Sequence, residues 1–451
     1  MGGVRDSAER QLAQIQAVFE RFVPPMLLKL LGKESVLELD LGHQIEKKMT
    51  ILFSDIRGFA SMSERMSPQQ CFGFINAYLS CMEPVVLAHG GFIDKYIGDS
   101  VMALFPARGD DALRAALAML AELEAFNARR PDVLSALGLD PSEHLLEQPV
   151  RIGIGLNSGL LMLGVIGGHN RMEVTVISDA VNLASRVETL TKIYRTPILI
   201  TQHTLNSIRH PQDYSIRFVD RVRVRGKYLA QSIYEVFDGD PAPIKRAKLA
   251  TLDIFEEALA HYHFQRMHEA LRLFEECLEL NPMDTPAEVY WHRCRQPAVL
   301  HGDAPLAEVG DFDVWRAEYR LGRADLDDVH CLIFEGILAL AEALRKESLA
   351  LAEGLVRNLL ETTVQHFVAE EELMVCQAYP YPTYMEHSQQ HRKFREFLGL
   401  LAQDIRENKV SALRLAFRCQ FLLLDWFVSH ISIADRHLER FLATQSALPA
   451  A

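Results

Sequence analysis

The sequence has no CxxC pair and no even, closely spaced cysteine set. Its seven cysteines, Cys71, Cys81, Cys277, Cys294, Cys331, Cys376 and Cys419, are scattered over 451 residues. That pattern excludes a disulfide framework and suits a reducing compartment. Basic charge is in deficit: 47 Lys and Arg against 60 Asp and Glu give a formal net charge of -13. With no positive field for phosphate backbones, nucleic acid is not an expected partner, and an anionic substrate would need a local positive site. Long apolar runs are missing too. The richest stretch, FLLLDWFVSHISI, is interrupted by Asp425 and His430, short of the ~18 residues of a spanning helix. The start, MGGVRDSAERQ, lacks the apolar region of a secretory signal. The expectation is a soluble, cytoplasmic chain without a membrane partner.

What remains is ordinary for a globular protein: 49% hydrophobic residues, 24% charged, 25 Gly and 19 Pro. At roughly 150 residues per domain the length predicts about three domains. Residues 1–45 read as a helical lead-in, with Leu12, Ile15, Val18, Phe19 and Phe22 at helical spacing before a break at Pro24 and Pro25. From Met49 short β-rich runs (MTILFSD, GFIDKYIGDSVMALF, VRIGIGLNSG, RMEVTVISD, RVRVRGKY, SIYEVF) alternate with helical patterns, which predicts an α/β domain over 46–238. DGDPAPIKR reads as a linker. The segment FEEALAHYHFQRMHEALRLFEECLELNPMD then predicts two amphipathic helices resembling one tetratricopeptide repeat, within a connector over 245–300. Residues 311–445 predict at least four long helices, as in a four-helix bundle.

In the α/β region Asp55 ends the strand TILFSD, and Asp99 follows Gly98 at an expected hairpin tip. Two carboxylates on neighbouring strand ends can hold divalent ions that clamp the attacking and leaving oxygens of phosphoryl transfer. Alone, each is more often a turn or cap residue. The run RMEVTVISDAVNLASRVE passes from strand to helix and presents Asn182 and Arg186 four apart on one helical face.

The strings TILFSDIRGFASMSE, GGFIDKYIGDSVMALF, GVIGGHNRMEVTVISDAVNLASRVE and RVRVRGKYLAQSIYEVF, in this order, resemble the class III nucleotidyl cyclases over residues 46–238. The resemblance implies a ferredoxin-like βαββαβ core and conversion of a nucleoside triphosphate to its cyclic monophosphate. It implies two Mg2+ (or Mn2+) ions on Asp55 and Asp99, a ribose-orienting Asn182, and Arg186 on the α-phosphate. Arg225 or Lys227, in VRGK, would grip the terminal phosphates. It also implies a homodimer in which each site takes its metal aspartates from one protomer and Lys95, Asn182 and Arg186 from the other. Lys95 and Thr175 occupy the base-selecting positions. Adenine offers an acceptor at N1 and a donor at N6, and guanine reverses both, so a cationic donor beside a hydroxyl favours ATP. The chain departs from the family at Ser178, where a Gly is usual before Asp179, and a Gly can be required where φ is positive.

The C-terminal region places His366 and Glu370 four apart, His387 and His391 four apart, and His430 and Asp435 five apart, with His330 on an earlier helix. A lone helical histidine is usually structural. Seven potential ligands on four helices exceed one tetrahedral zinc and suggest a two-metal centre bridged by carboxylates. The stretch from Trp315 through LDDVH, HFVAEEELM, AYPYP, HSQQH and WFVSHISIAD resembles the hemerythrins over 312–442. That implies two Fe: one on His387, His391 and His430, the other on His330 and His366, with Glu370, Asp435 and an oxo or hydroxo group bridging. Glu371, Glu372 and His437 stand outside the ligand set. The expected activity is an adenylyl cyclase, with ATP as substrate, regulated through O2 or iron redox state, with NO as a possible competitor. Two alternatives stay open: a guanylyl cyclase with the same sensor, and an O2-binding or storage protein whose cyclase-like half only dimerises.

Overall fold

The computed structural model describes residues 14–15, 18–19, 22–142, 148–168, 170–223, 230–295 and 315–446. Most of the lead-in before Pro24, together with Arg225 and Lys227, lies outside the described residues. The chain divides into two compact units, Met1–Lys192 and Ile193–Ala451. This division cuts the predicted α/β domain and groups its last strands with the helical regions.

In the first unit α1 (Pro25–Leu30) precedes the long strand β1 (Gln44–Ile56). A short helix α2 (Phe59–Ser63) and α3 (Pro68–Ala88) lead to the hairpin β2 (Phe92–Ile97) and β3 (Ser100–Phe105). Helix α4 (Gly109–Ala136) then leads to β4 (Ile152–Gly168) and β5 (Arg171–Ile177), and α5 (Asp179–Tyr194) follows. The strand order β2-β3-β1-β4, with β1 antiparallel to both β3 and β4, is the predicted βαββαβ arrangement, and β5 extends from β4 as its partner. Alternation drives β1: Met49, Ile51 and Phe53 belong to one core cluster with Met102, Leu104, Leu161 and Leu163. Ser67 and Gln70 form a capping box that starts α3. Contrary to the sequence expectation, α3 is long and apolar enough to cross a membrane by composition. Its Phe74, Tyr78, Met82 and Val86, four residues apart, are instead fully buried on one face. Gly155 on β4 lets α5 pack against the strand, because a Cβ there would stand 2.7 Å from the Ala184 carbonyl.

The second unit starts with β6 (Ile198–Thr201), α6 (Gln202–Ser207), β7 (Ile216–Arg223) and β8 (Ala230–Val236), with β8 between β6 and β7 and antiparallel to both. The connector has three helices where the sequence predicted two: α7 (Ala242–His263), α8 (Met267–Leu280) and α9 (Thr285–Cys294). The segment read as a linker already starts α7 at Ala242, and Asp238 and Asp240 accept from Lys245 and Lys248 at 2.6 Å. Arg217 on β7 is buried between Glu235 (2.7 Å) and Asp284 (2.7 Å), so the strands and the connector share one ion network. Removing either partner would strand a buried charge.

The remaining helices form the predicted four-helix bundle. They are α10 (Ala324–Arg345), α11 (Leu349–Cys376), α12 (Tyr381–Glu407) and a last helix in three α segments, α13 (Ala412–Phe417), α14 (Leu424–His430) and α15 (Arg436–Ser446). Two π turns, Arg418–Leu423 and Ile431–Asp435, join those segments. Phe334, Phe367, Phe394, Leu398, Leu424 and Phe427 make up the middle of the core.

Candidate active site and metal centre

The first constellation lies where β1 ends beside the β2–β3 turn. Gly98 takes φ +65 in this two-residue turn and Asp99 completes it. Asp99 Oδ2 accepts from the Ile56 amide at 3.3 Å, and Asp55 Oδ1 accepts from Ser100 Oγ at 2.6 Å. Lys192 Nζ donates to Asp55 Oδ2 at 2.6 Å. Burial opposes ionisation of Asp55, but the Lys192 and Ser100 hydrogen bonds outweigh it and hold this carboxyl below its ordinary value. Burial and the neighbouring Asp55 charge push Asp99 up to about 6. Two oxygen-donor carboxylates that repel one another fit a hard divalent cation, which relieves that repulsion. Lys192 and Ser100 were not foreseen: each is distant from Asp55 in sequence, and no local pattern marks them.

Lys95 and Thr175 come together across the same unit. Lys95 Nζ donates to Thr175 Oγ1 at 2.9 Å and to a Glu173 oxygen at 2.8 Å. A register shift in β2 between Ile93 and Lys95 re-aims this part of the strand. The Asp94 side chain, buried beside them, stands 3.6 Å from the Lys95 ammonium with neither oxygen hydrogen-bonded. Burial, opposed by Lys95, pushes it up to about 6.

Asn182 and Arg186 both lie on the exposed face of α5, as their spacing predicts. Ser178, at the head of that helix, has no positive φ to accommodate. Its hydroxyl donates to the Leu160 carbonyl at 2.7 Å and accepts from the Ala180 amide at 3.1 Å. A serine therefore serves as a helix-start acceptor where glycine's freedom is not needed.

All seven ligand candidates of the bundle converge in its interior, and each is buried. His387 and His430 Nε2 both stand 3.0 Å from Asp435 Oδ1, and His330 Nε2 stands 3.4 Å from Asp435 Oδ2. Glu370 Oε2 faces Nε2 of His391 at 3.2 Å, of His387 at 3.7 Å and of His366 at 3.9 Å. The Nε2 atoms of His330 and His366 are 2.9 Å apart, and those of His391 and His430 are 3.2 Å apart. The π turn Ile431–Asp435 accounts for the five-residue step: a wider i→i+5 turn brings His430 and Asp435 to one face.

Two imidazoles are oriented from behind. Nδ1 of His430 pairs with Gln390 Oε1 at 2.9 Å, and Nδ1 of His391 with Glu371 Oε1 at 2.9 Å. Such outer acceptors hold the proton on Nδ1 and leave Nε2 to face the centre. Glu371, outside the ligand set, thus has a supporting place, and His437 pairs with Tyr379. Burial drives His366 and His430 down to about 3. Burial and the Asp435 charge push Glu370 up to about 8, while the His430 and His387 partnerships hold Asp435 well below the carboxylate range. All four carboxylate oxygens lack a satisfying hydrogen bond. Neutral imidazole lone pairs crowded around two unsatisfied buried carboxylates fit metal cations, which satisfy both at once. Five of the seven, Glu370, His387, His391, His430 and Asp435, offer ligand atoms within 4.8 Å of one another.

Residues 41–237 match the family model of the adenylate and guanylate cyclase catalytic domain, and residues 321–442 that of the hemerythrin HHE cation binding domain. The terminal-differentiation specific adenylate cyclase of Dictyostelium discoideum is 39% identical over 290 residues, 64% of this chain and 13% of that protein. An adenylate cyclase of Anabaena cylindrica is 43% identical over 220 residues, 48% of this chain and 42% of that protein. Among solved structures, the guanylyl cyclase Cya2 is 32% identical, with 44% of this chain and 96% of that one covered and a TM-score of 0.36. The chain spans less than half the length of these two curated relatives.

Proposed function

Residues 41–237 being an adenylate and guanylate cyclase catalytic domain and residues 321–442 a hemerythrin domain, we propose that this chain is a homodimeric adenylyl cyclase regulated by O2 or iron redox state. It converts ATP to cyclic AMP and pyrophosphate. The observation that carries the substrate assignment is the 2.9 Å bond between Lys95 Nζ and Thr175 Oγ1, which sets a cationic donor beside a hydroxyl acceptor. With two of its three N–H groups on Thr175 and Glu173, Lys95 keeps one donor for adenine N1, and Thr175 accepts from N6.

Asn182 orients the ribose and Arg186 meets the α-phosphate, where stabilisation of developing charge is usually the largest catalytic contribution. The ribose 3'-hydroxyl gives its proton to solvent and its oxygen bonds to the α-phosphorus, as the bond from that phosphorus to the α–β bridging oxygen breaks and pyrophosphate leaves carrying that oxygen. Asp55 and Asp99 are the residues to hold two Mg2+ or Mn2+ ions, which supply charge to the attacking hydroxyl and the triphosphate. Arg225 or Lys227 grips the terminal phosphates. In the bundle, His387, His391 and His430 would hold one iron and His330 and His366 the other, with Glu370 and Asp435 between them. Iron bound there would supply O2 binding and a change of redox state, which histidine-rich ligation favours over oxygenase chemistry.

A second reading, a guanylyl cyclase, draws on Glu173, whose carboxylate 2.8 Å from Lys95 could accept from guanine N1–H and N2–H. Initial rates of the purified chain with Mg-ATP and with Mg-GTP decide between them. Higher kcat/KM for ATP supports the adenylyl assignment, higher kcat/KM for GTP reverses it, and turnover of neither overturns the enzyme.

A further inference from the structure

Helices α12 and α14 carry the three histidines proposed for one iron; α14 is bonded from its other side to β7, β8 and α6, and α12 to the end of α6. Asp425, five residues before His430, is buried and meets two side chains that sit opposite one another in the β7–β8 pair, Arg221 and Ser232. One of its oxygens is 3.4 Å from Arg221 and the other accepts from Ser232 Oγ. Four residues on, hence on the same helical face, Ser429 Oγ is 2.5 Å from His203 Nδ1 on α6. Between them the Trp426 carbonyl accepts from Asn206 at 3.3 Å, and the Trp426 ring is stacked on His430 with planes 15° apart. From α12, Lys393, two residues past His391, donates to the Asn206 and Ile208 carbonyls at the end of α6. A lysine there complements the helix C-terminus. Gln389, two residues before His391, donates to the Arg209 carbonyl at 3.2 Å.

We infer that this surface is the transmission element of the chain: Asp425 and Ser429 on α14 and Lys393 on α12 convert movement of the three-histidine side of the metal centre into movement of α6 and the β7–β8 pair. α14 is suited to the task. Its seven residues lie between two π turns, where the i→i-4 ladder is already interrupted, so it can shift as a short rigid piece. The Asp425 contact with Arg221 and Ser232 is buried and charged, so a displacement of α14 re-registers the partner strands instead of being absorbed by solvent. The inference rests on the proposed iron-regulated cyclase and names the route by which that regulation reaches the enzyme.

Two variants test it on the full chain. Arg221→Met with Asp425→Leu replaces the buried pair by apolar side chains, a change that is often neutral for folding. Ser429→Ala removes the His203 contact alone. Both should bind iron as wild type does and keep basal turnover. Amide exchange is measured on the apo protein and after anaerobic loading with Fe2+, and turnover is measured in the reduced and air-oxidised states. Loading should slow exchange in α6, β7 and β8 of wild type and leave them unchanged in the double variant. The ratio of turnover between iron states should fall from fivefold or more, the lower end of typical coupling, to about one. If exchange in α6, β7 and β8 of wild type ignores iron, or if both variants keep the wild-type ratio, the transmission surface is wrong, and in the latter case regulation still stands. If wild-type turnover is the same in both iron states while exchange responds, the regulatory reading falls and the mechanical link survives.

Discussion

The Phe367 ring lies flat against His391, with centroids 3.8 Å apart and planes 5° from parallel. Phe367 is 1% exposed and neighbours Phe394 and His430 as well. It therefore fixes the plane of a metal-facing imidazole by packing alone, without a polar atom of its own. Phe367→Leu keeps most of the volume and loses the stacking, a contribution of about 1 kcal/mol. Urea unfolding of the apo protein should show an unfolding free energy lower by that amount, while the variant still binds two irons. Unchanged stability would mean the contact is incidental.

Gln390 acts on the same centre through a proton. Its Oε1, 2.9 Å from His430 Nδ1, selects the tautomer that leaves Nε2 for the metal. Gln390→Leu should weaken iron binding by about 10- to 100-fold, read by competition with a chelator. Glu371→Gln should do much less, because a glutamine oxygen can still accept from His391 Nδ1.

In the proposed adenylyl cyclase the bonded Lys95–Thr175 pair is the base-selecting element. Lys95→Glu with Thr175→Cys should lower kcat/KM for ATP by roughly 5- to 150-fold, the equivalent of ~1 to 3 kcal/mol for mismatched buried hydrogen bonds. Steady-state kinetics with ATP and GTP measure it. Loss of activity toward both nucleotides would place the two residues in the scaffold instead.

Histidine spacing makes the bundle centre legible in the sequence: steps of four put His366 with Glu370 and His387 with His391 on single helical faces. The five-residue step from His430 to Asp435 does not follow α-helical periodicity, and the π turn that reconciles it has no sequence signature. The order of strands and helices from β1 to β4 was equally readable, since alternation and turn residues are local. Contacts such as Lys192 with Asp55 and Arg221 with Asp425 join residues more than a hundred positions apart, and pairing at that distance leaves no periodic trace. The third connector helix was missed because TPAEVYWHRC is short and has no strong apolar stripe.

His263 offers a pH test away from both sites. It is buried in contact with Phe218, Phe417, Phe421 and Tyr290, and neither ring nitrogen has a hydrogen-bond partner. Burial drives its pKa from 6.5 down to about 4. The unfolded chain then binds the extra proton first, so stability is full above pH 6.5 and declines as pH falls toward 4. Between pH 7.5 and 5 this single group should cost about 2 kcal/mol. Denaturation at the two pH values should show His263→Phe losing less stability than wild type by that margin. Parallel pH dependence in the two proteins would contradict the assignment.

The central claim, that iron in the hemerythrin domain governs cyclic nucleotide synthesis in the cyclase domain, is tested most directly by one comparison. Cyclic AMP formation from Mg-ATP is measured on the same iron-loaded preparation, first reduced under argon and then oxidised in air, with His391→Ala beside it. Wild-type rates should differ about fivefold or more between the two states, and His391→Ala should show one rate throughout. Equal wild-type rates in both states, with iron content and cyclase activity intact, would contradict it.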